Sequence, residues 1–72
     1  MWKYNKISNT WSKNVQVGFF TIVYILQYDE NLSSYYLKNS FSTTEISLLT
    51  KDIDNAKEMA DELIRLSLNK MS

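Results

Sequence analysis

Residues Val15–Gln27 read VQVGFFTIVYILQ, and this stretch carries the strongest β-strand signal in the chain. It consists largely of β-branched and aromatic residues, which favour a pleated and packed surface. A straight strand of this length would extend about 40 Å, which is longer than most strands in globular proteins. We therefore expect a bend or a bulge near Gly18, because glycine inside a strand often marks such a distortion.

The side chains of this stretch would point alternately to the two faces of a sheet. One face would carry Phe20, Ile22, Tyr24 and Leu26, and the other would carry Phe19, Val23 and Ile25. Both faces are therefore apolar, whereas a sheet with one solvated face alternates apolar and polar residues. A helix can cover one face, and we expect the second face to be covered by the N-terminal segment, a second subunit or a target protein.

The residues that follow predict two further strands and a helix. Residues 28–31 read as a polar turn, residues 32–40 as a second strand and residues 43–50 as a third. Asp52 or Asp54 can then cap a helix, since acidic side chains suit a helix N-terminus. We predict one α+β domain over residues 1–72, with a three-stranded antiparallel sheet in residues 15–50 and one C-terminal helix in residues 52–70 (β-β-β-α).

Residues 1–14 are predicted to form an N-terminal arm docked on this body. They hold Trp2, Tyr4, Ile7 and Trp11 among Asn, Ser and Lys, with a periodicity that supports neither a strand nor a helix strongly. Tryptophan is above all a large apolar surface to bury, so we expect the two tryptophans to dock the arm. Aromatic side chains beside lysines can also stack on single-stranded nucleic acid, and that alternative stays open.

The helix carries two apolar stripes, which is more than one sheet needs. The stripe expected to face the sheet consists of Ala56, Met59, Ala60, Leu63 and Leu66 or Ser67. A second stripe, which includes Ile64 and Leu68, lies further round the helix. Because a chain of 72 residues buries only about 60 % of its unfolded surface, self-association would add stability. We expect a homodimer, and the residues expected in its interface are Ile64, Leu68, Val23 and Ile25.

The composition argues against an enzyme. The chain has no cysteine and no histidine, which excludes disulfides, thiolate nucleophiles, Cys/His zinc sites and the most common general base. It has no glycine-rich loop for phosphate, and the helical carboxylates are spaced as ordinary i,i+4 neighbours. We therefore expect no catalytic residue, no cofactor and no metal. The apolar run is also shorter than the roughly 20 residues that span a bilayer.

The charges balance globally but not locally. Eight basic and eight acidic side chains give a formal net charge of zero, so no global field attracts nucleic acid or an anionic membrane. Residues 14–50 nevertheless carry Asp29, Glu30 and Glu45 against Lys38 alone. The same region holds four of the five tyrosines, which suit either a core and dimer role or a role as binding anchors.

Several strings in residues 19–72 resemble the small homodimeric phage-encoded uracil-DNA glycosylase inhibitors. They are Ile25-Leu26-Gln27 before an acidic turn, Tyr35-Tyr36, and FSTTEI at residues 41–46. The helical string ADELIRLSLNKM at residues 60–71 shows the family's alternation of acidic, aliphatic and basic residues in the same register. The alignment needs one-residue adjustments in the hairpin turn and near Ser40, together with a longer entry to the helix.

The resemblance implies a protein that imitates DNA. A uracil-DNA glycosylase inserts a loop with a large apolar side chain into the minor groove while it extrudes uracil. The inhibitor dimer offers that side chain an apolar pocket at the junction of its two subunits, with nearby carboxylates standing in for backbone phosphates. The family places an aromatic residue, then an acidic residue, then a second aromatic residue at positions that correspond here to Ile46, Ser47 and Thr50. A different gap placement would put Glu45 in the acidic position.

The resemblance also sets the expected partner and site. The residues expected to bind the partner are Glu45, Ile46, Ser47, Thr50, Tyr35, Tyr36, Asp29 and Glu30. The partner would be the uracil-DNA glycosylase of an infected bacterium, in whose cytoplasm this phage protein would inhibit DNA repair. Two alternatives remain, namely a single-stranded nucleic-acid-binding module that uses the arm and an antitoxin-like dimeric regulatory phage protein, because one fold can serve unrelated functions.

Overall fold

A five-stranded antiparallel sheet covered on one face by a C-terminal helix forms the protein, as seen in a computed structural model that describes residues 1–71. The strands are β1 (Lys3–Asn5), β2 (Thr10–Val17), β3 (Phe20–Asp29), β4 (Ser34–Asn39) and β5 (Ser42–Ser47), and the helix is α1 (Ile53–Met71). Each strand pairs with the next along the chain. The α+β class, the antiparallel sheet and the C-terminal helix are confirmed, whereas the prediction of three strands was wrong.

The stretch that we predicted to be one bent strand is a tight hairpin. Val17 pairs with Phe20, so Gly18 and Phe19 form a two-residue turn between β2 and β3. Gly18 has a φ of 61°, and glycine at the first central position is the requirement of a type II′ turn, whose twist matches the flanking strands. The chain thus reverses where we expected a bend, and residues 10–17 form a full strand beside β3.

Gly18→Ala should lower the free energy of unfolding by about 1 kcal/mol, because a Cβ is disfavoured at positive φ. Steric contact does not add to this loss of stability, since no atom lies within 4 Å of the position that the Cβ would take. In urea unfolding the midpoint should fall at an unchanged slope. Gly18→Asn serves as the control and should lose less stability than Gly18→Ala, because asparagine tolerates positive φ better than alanine does. An alanine variant as stable as the native chain would contradict the assigned turn.

The predicted N-terminal arm is part of the sheet. Residues 3–5 form β1, and Tyr4 pairs with Trp11 on β2. β2 in turn pairs with β3 along its whole length, from Thr10 to Val17. Trp2 and Trp11 pack against the core, as we expected from their size. The hairpin of β1 and β2, the first hairpin of the chain, therefore extends the sheet at its edge. It does not cover the second face of the sheet.

The core lies between α1 and one face of the sheet. Its buried residues are Ile22, Tyr24, Leu26, Leu37, Leu48, Ala56, Ala60 and Ile64. Leu26 occupies the centre, since it is paired with Trp11 on one side and with Leu37 on the other. The two alanines carry the smallest apolar side chains of the helix and allow it to approach the strands closely. Within the described chain, no helix combines the length and the apolar character that crossing a membrane requires.

The helix is rotated about its axis relative to our prediction. Ala56 and Ala60 face the sheet as expected, but Ile64 is only 4 % exposed and Leu68 packs against the same core. Met59, which we had placed against the sheet, is exposed instead. The prediction of Ile64 as a dimer-interface residue was therefore wrong, and Leu68 also contributes to the core of one chain. Both apolar stripes of the helix have a regular spacing, so the periodicity alone could not show which stripe faces the sheet.

The second face of the sheet is mixed rather than apolar. Val23 lies beside Asn14, and Ile25 lies between Ser12 and Lys38. The neighbouring strands thus place polar residues beside the apolar residues of β3, which is typical of a face in contact with solvent. Val23 and Ile25 remain partly exposed. Their assignment to a dimer interface stays a prediction.

Asp52 caps the helix, which decides between the two acidic candidates. Its Oδ1 accepts the backbone N–H of Asp54 at 3.1 Å, and its carbonyl oxygen accepts the N–H of Ala56 at 2.9 Å. This is the arrangement of an N-cap residue, whose side chain satisfies a free amide of the first turn. The Thr50 hydroxyl accepts the N–H of Asp52 at 3.2 Å and fixes the entry to the helix.

Candidate protein-binding groove

An open groove of about 510 Å³ runs between β5 and α1. Its lining residues are Ile46, Ser47, Leu48, Glu58, Met59, Glu62 and Leu63. Leu48 is buried at the floor, while Ile46 and Met59 remain exposed. The floor of the groove is therefore apolar, and two glutamates lie on the helical side of its rim.

The groove exists because the helix does not reach the last strand. α1 packs over β3 and β4, so β5 extends beyond it. Ile46 pairs with Leu37 and points to the same face of the sheet. Leu37 lies beneath the helix and is buried, whereas Ile46 is left partly uncovered. An apolar surface thus remains open at this edge of the sheet, where a partner can reach it.

The rim of the groove is negatively charged. Glu62 forms an ion pair with Arg65, and this hydrogen bond, together with the charge of the guanidinium, holds the pKa of the Glu62 carboxyl below its usual value. Glu62 is therefore ionised at neutral pH. Within residues 1–71, Glu58 has no ion-pair partner, so its charge is not neutralised by a contact. An apolar floor beside carboxylates suits a ligand that combines an apolar side chain with basic groups.

The opposite flank of the helix is basic and aromatic. The Asp61 carboxylate accepts the Nε1–H of Trp2 at 3.0 Å and the ammonium of Lys13 at 2.8 Å. The Nζ of Lys57 lies 3.6 Å from the ring centroid of Trp11, which is a close cation–π contact. These contacts tie β1 and β2 to α1. Lys57 and Asp61 of the helix are therefore engaged towards β2, whereas Glu58 and Glu62 lie towards β5.

Of the predicted binding residues, Ile46 and Ser47 line the groove. Tyr36 pairs with Ser47 but lies on the other face of the sheet from Ile46, since adjacent strand residues alternate. Partial burial, and then the carboxylates of Glu45 and Asp29, raise the pKa of Tyr36 above its usual value. Its hydroxyl donates to Oε1 of Gln27 at 2.8 Å. Glu45, Asp29 and Tyr36 therefore interact electrostatically, and none of them lines the groove.

Tyr35 and Thr50 serve the fold. Tyr35 packs against the core, and its ring meets that of Tyr28 edge-on at 5.2 Å. Its backbone N–H donates to the carbonyl oxygen of Thr50 at 2.9 Å. The Thr50 hydroxyl is used at the entry to the helix, as described above. Neither residue lines the groove.

The two acidic residues of the β3–β4 turn have different roles. Asp29 Oδ1 accepts the backbone N–H groups of Asn31 and Leu32 at 2.9 and 3.4 Å, which stabilises the turn. Glu30 is exposed in the same turn. The predicted partner-binding residues thus lie on two faces of the sheet and at one turn, and the structure does not bring them together in one surface.

The helical half of the groove was missed because we assigned Met59 and Leu63 only to the contact with the sheet. Leu63 does pack against the core, but it also lines the groove. One signal could have revealed it. Glu58 and Glu62 directly precede these two apolar residues at the same i,i+4 spacing, so one side of the helix combines apolar and acidic side chains.

Leu49 projects from the chain directly beyond the groove. Leu48 donates its N–H to the carbonyl oxygen of Tyr35, and Thr50 accepts the N–H of Tyr35, so Leu49 is an extra residue in the pairing. Its φ is 56° and its side chain is exposed. A left-handed conformation of this kind costs a bulky residue on the order of 1–3 kcal/mol. The bulge buries Leu48 and presents Leu49 to solvent.

The first hairpin offers less to nucleic acid than its composition indicated. A shallow groove of about 420 Å³ is lined there by residues that include Lys3, Tyr4 and Lys6. Trp2 and Trp11, however, are packed against the core, and a lysine of the same chain covers each ring. Stacking of bases needs open aromatic faces, and these two tryptophans do not provide them.

Comparison with known proteins gives no match: no protein-family model, no curated protein and no solved structure matches the chain. The resemblance to glycosylase inhibitors therefore rests on the strings in residues 19–72 themselves.

Proposed function

We propose that the protein is an inhibitor of uracil-DNA glycosylase that acts as a DNA mimic and works as a homodimer. The observation that carries this proposal is the groove between β5 and α1, with its apolar floor and acidic rim. The groove would capture the apolar side chain that the enzyme inserts into the minor groove of DNA. Two residues that the resemblance assigns to this role, Ile46 and Ser47, line it.

The chemistry of the target explains why such a groove would bind it. An enzyme that binds DNA presents basic side chains to the phosphates, and many such proteins wedge an apolar residue between bases. Glu58, which has no ion-pair partner within residues 1–71, can meet a basic group, while Met59 and Leu63 contact the wedge. Opposite charges across an interface speed association and disfavour partners of the wrong charge. A net charge of zero is compatible with this role, because the lysines Lys13 and Lys57 are engaged on the far flank of the helix.

Leu49 directly follows Leu48 in the chain but does not line the groove, and it is exposed at a strained backbone position. An exposed leucine is available for contact with a protein partner. No catalytic group is needed for this function, since the inhibitor acts by occupying a site in a stoichiometric complex.

An inhibition assay tests the proposal directly. Purified protein is added to a uracil-DNA glycosylase that then receives a uracil-containing oligonucleotide, and release of uracil is measured. Release should stop at a near-equimolar ratio of inhibitor to enzyme. Undiminished turnover at a large molar excess of the protein would rule the function out.

The same assay separates inhibition from binding to nucleic acid. The amount of protein required is titrated at two concentrations of oligonucleotide with the enzyme held constant. An inhibitor of the enzyme requires an amount set by the enzyme, whereas a protein that covers single strands requires an amount set by the oligonucleotide. Calorimetric titration of the glycosylase without DNA should give one binding site per enzyme.

A further inference from the structure

All three phenylalanines of the chain lie at one end of the sheet. Phe19 and Phe20 belong to the β2–β3 turn region and Phe41 to the adjacent β4–β5 turn, and their exposures are 102 %, 65 % and 64 %. The rings of Phe20 and Phe41 meet edge-on with centroids 6.3 Å apart. Exposure of three large aromatic side chains in one cluster is unusual for a protein surface and marks an interaction site. We call this cluster the tip surface.

The tip surface contains both a recess and a projection. Val17, Phe20, Ile22 and Phe41 line a recess of about 280 Å³ whose exposed lining is entirely apolar. A cavity of about 150 Å³ is enough to hold benzene, so the recess has room for a phenyl ring. Phe19 does not line it but projects fully into solvent at the turn beside it.

The chemistry of the tip surface favours a second copy of the chain as its occupant. Residues 16–23 and 39–44 contain no charged side chain, so two copies can meet without repulsion between like charges. A basic partner would find no carboxylate in these residues, in contrast to the groove. A projection and a matching recess on one surface are what a two-fold symmetric interface requires, because each copy then supplies both parts.

We propose that two chains associate through the tip surface, with Phe19 of each chain inserted into the recess of the other. This interface rests on the homodimer in the proposed function and replaces the helical one that the burial of Ile64 contradicts. Three phenylalanines at these exposures leave on the order of 400 Å² of apolar surface per chain. Two copies together approach the roughly 1,000 Å² expected of a specific interface, so the dimer should be a weak one. The residues that line the groove lie outside the tip surface and stay accessible.

Sedimentation of the full chain over a range of concentrations tests the interface. The native chain should form dimers in the micromolar range. Phe19→Ser should raise the dimer dissociation constant about 30-fold or more, the effect of removing a central interface residue. Phe41→Ala, which keeps the projection but removes a wall of the recess, should weaken the dimer similarly. Ile7→Ser is the matched control, since Ile7 is 98 % exposed at a different turn, and it should dimerise like the native chain.

Three outcomes would overturn the interface. They are a native chain that stays monomeric at every concentration, tip variants that dimerise as the native chain does, and a monomer that instead binds phosphatidylcholine vesicles through Phe19. Thermal unfolding of each variant checks that an exposed substitution has left the fold intact. Because sedimentation needs no glycosylase, loss of this interface and loss of the inhibitory function are observed separately. Intact dimerisation with no inhibition would refute the proposed function alone.

Discussion

Met59→Lys is expected to weaken inhibition of uracil-DNA glycosylase by about 100-fold or more, because it places a cation on the helical wall of the groove. Met59 lines the groove and is 42 % exposed. The lysine would remove an apolar contact with the captured side chain and would repel the basic groups of the enzyme. The effect is measured as the shift in the inhibitor concentration that halves uracil release.

Leu66→Lys provides the control for this experiment. Leu66 lies on the same helix, is 45 % exposed and does not line the groove. Both variants raise the net charge of the chain by one, so long-range electrostatic steering changes equally in each. Only the position relative to the groove differs. Equal inhibition by the two variants, whether retained or lost, would show that the groove is not the binding surface.

The sheet shows which features of the strands the sequence could predict and which it could not. The apolar run in residues 15–27 predicted strands correctly, but nothing in its hydrophobicity marked the reversal at Gly18. A two-residue turn with glycine first needs no polar residue, because Phe19 completes it from within the apolar run. The first hairpin was missed for a related reason, since the polar side of β2 faces solvent and its Asn and Ser residues resemble those of a loop.

The sequence named two residues of the groove, and one of its inconsistencies was avoidable. Ile46 and Ser47 line the groove, while their role in binding a partner stays a prediction. Tyr35 and Tyr36, however, are consecutive residues of a strand whose side chains point to opposite faces of the sheet, so their rings could not both lie on one face. The helical wall of the groove depended on the rotation of α1, which is decided by tertiary packing over β3 and β4 and not by the spacing of its apolar residues.

Leu26→Ala is expected to lower the free energy of unfolding by about 3–4 kcal/mol, because it removes a fully buried side chain and leaves a cavity. A domain of 72 residues has a total stability of only roughly 4–11 kcal/mol, so this loss removes a large part of the total and lowers the temperature of unfolding. Urea unfolding followed by far-UV circular dichroism measures the loss. Leu32→Ala is the control, since Leu32 is exposed in the β3–β4 turn and should change stability by less than about 0.5 kcal/mol.

Ile64→Ala extends the same measurement to the orientation of the helix. Ile64 belongs to the core with Leu26, so its truncation should cost about 2–4 kcal/mol, close to the effect at Leu26. Truncation of the exposed Leu66 should cost little. If Ile64→Ala kept the native stability and instead dissociated a dimer, the helix would have to present that residue to a second chain. The groove would then be closed, because Met59 and Leu63 would be turned towards the sheet.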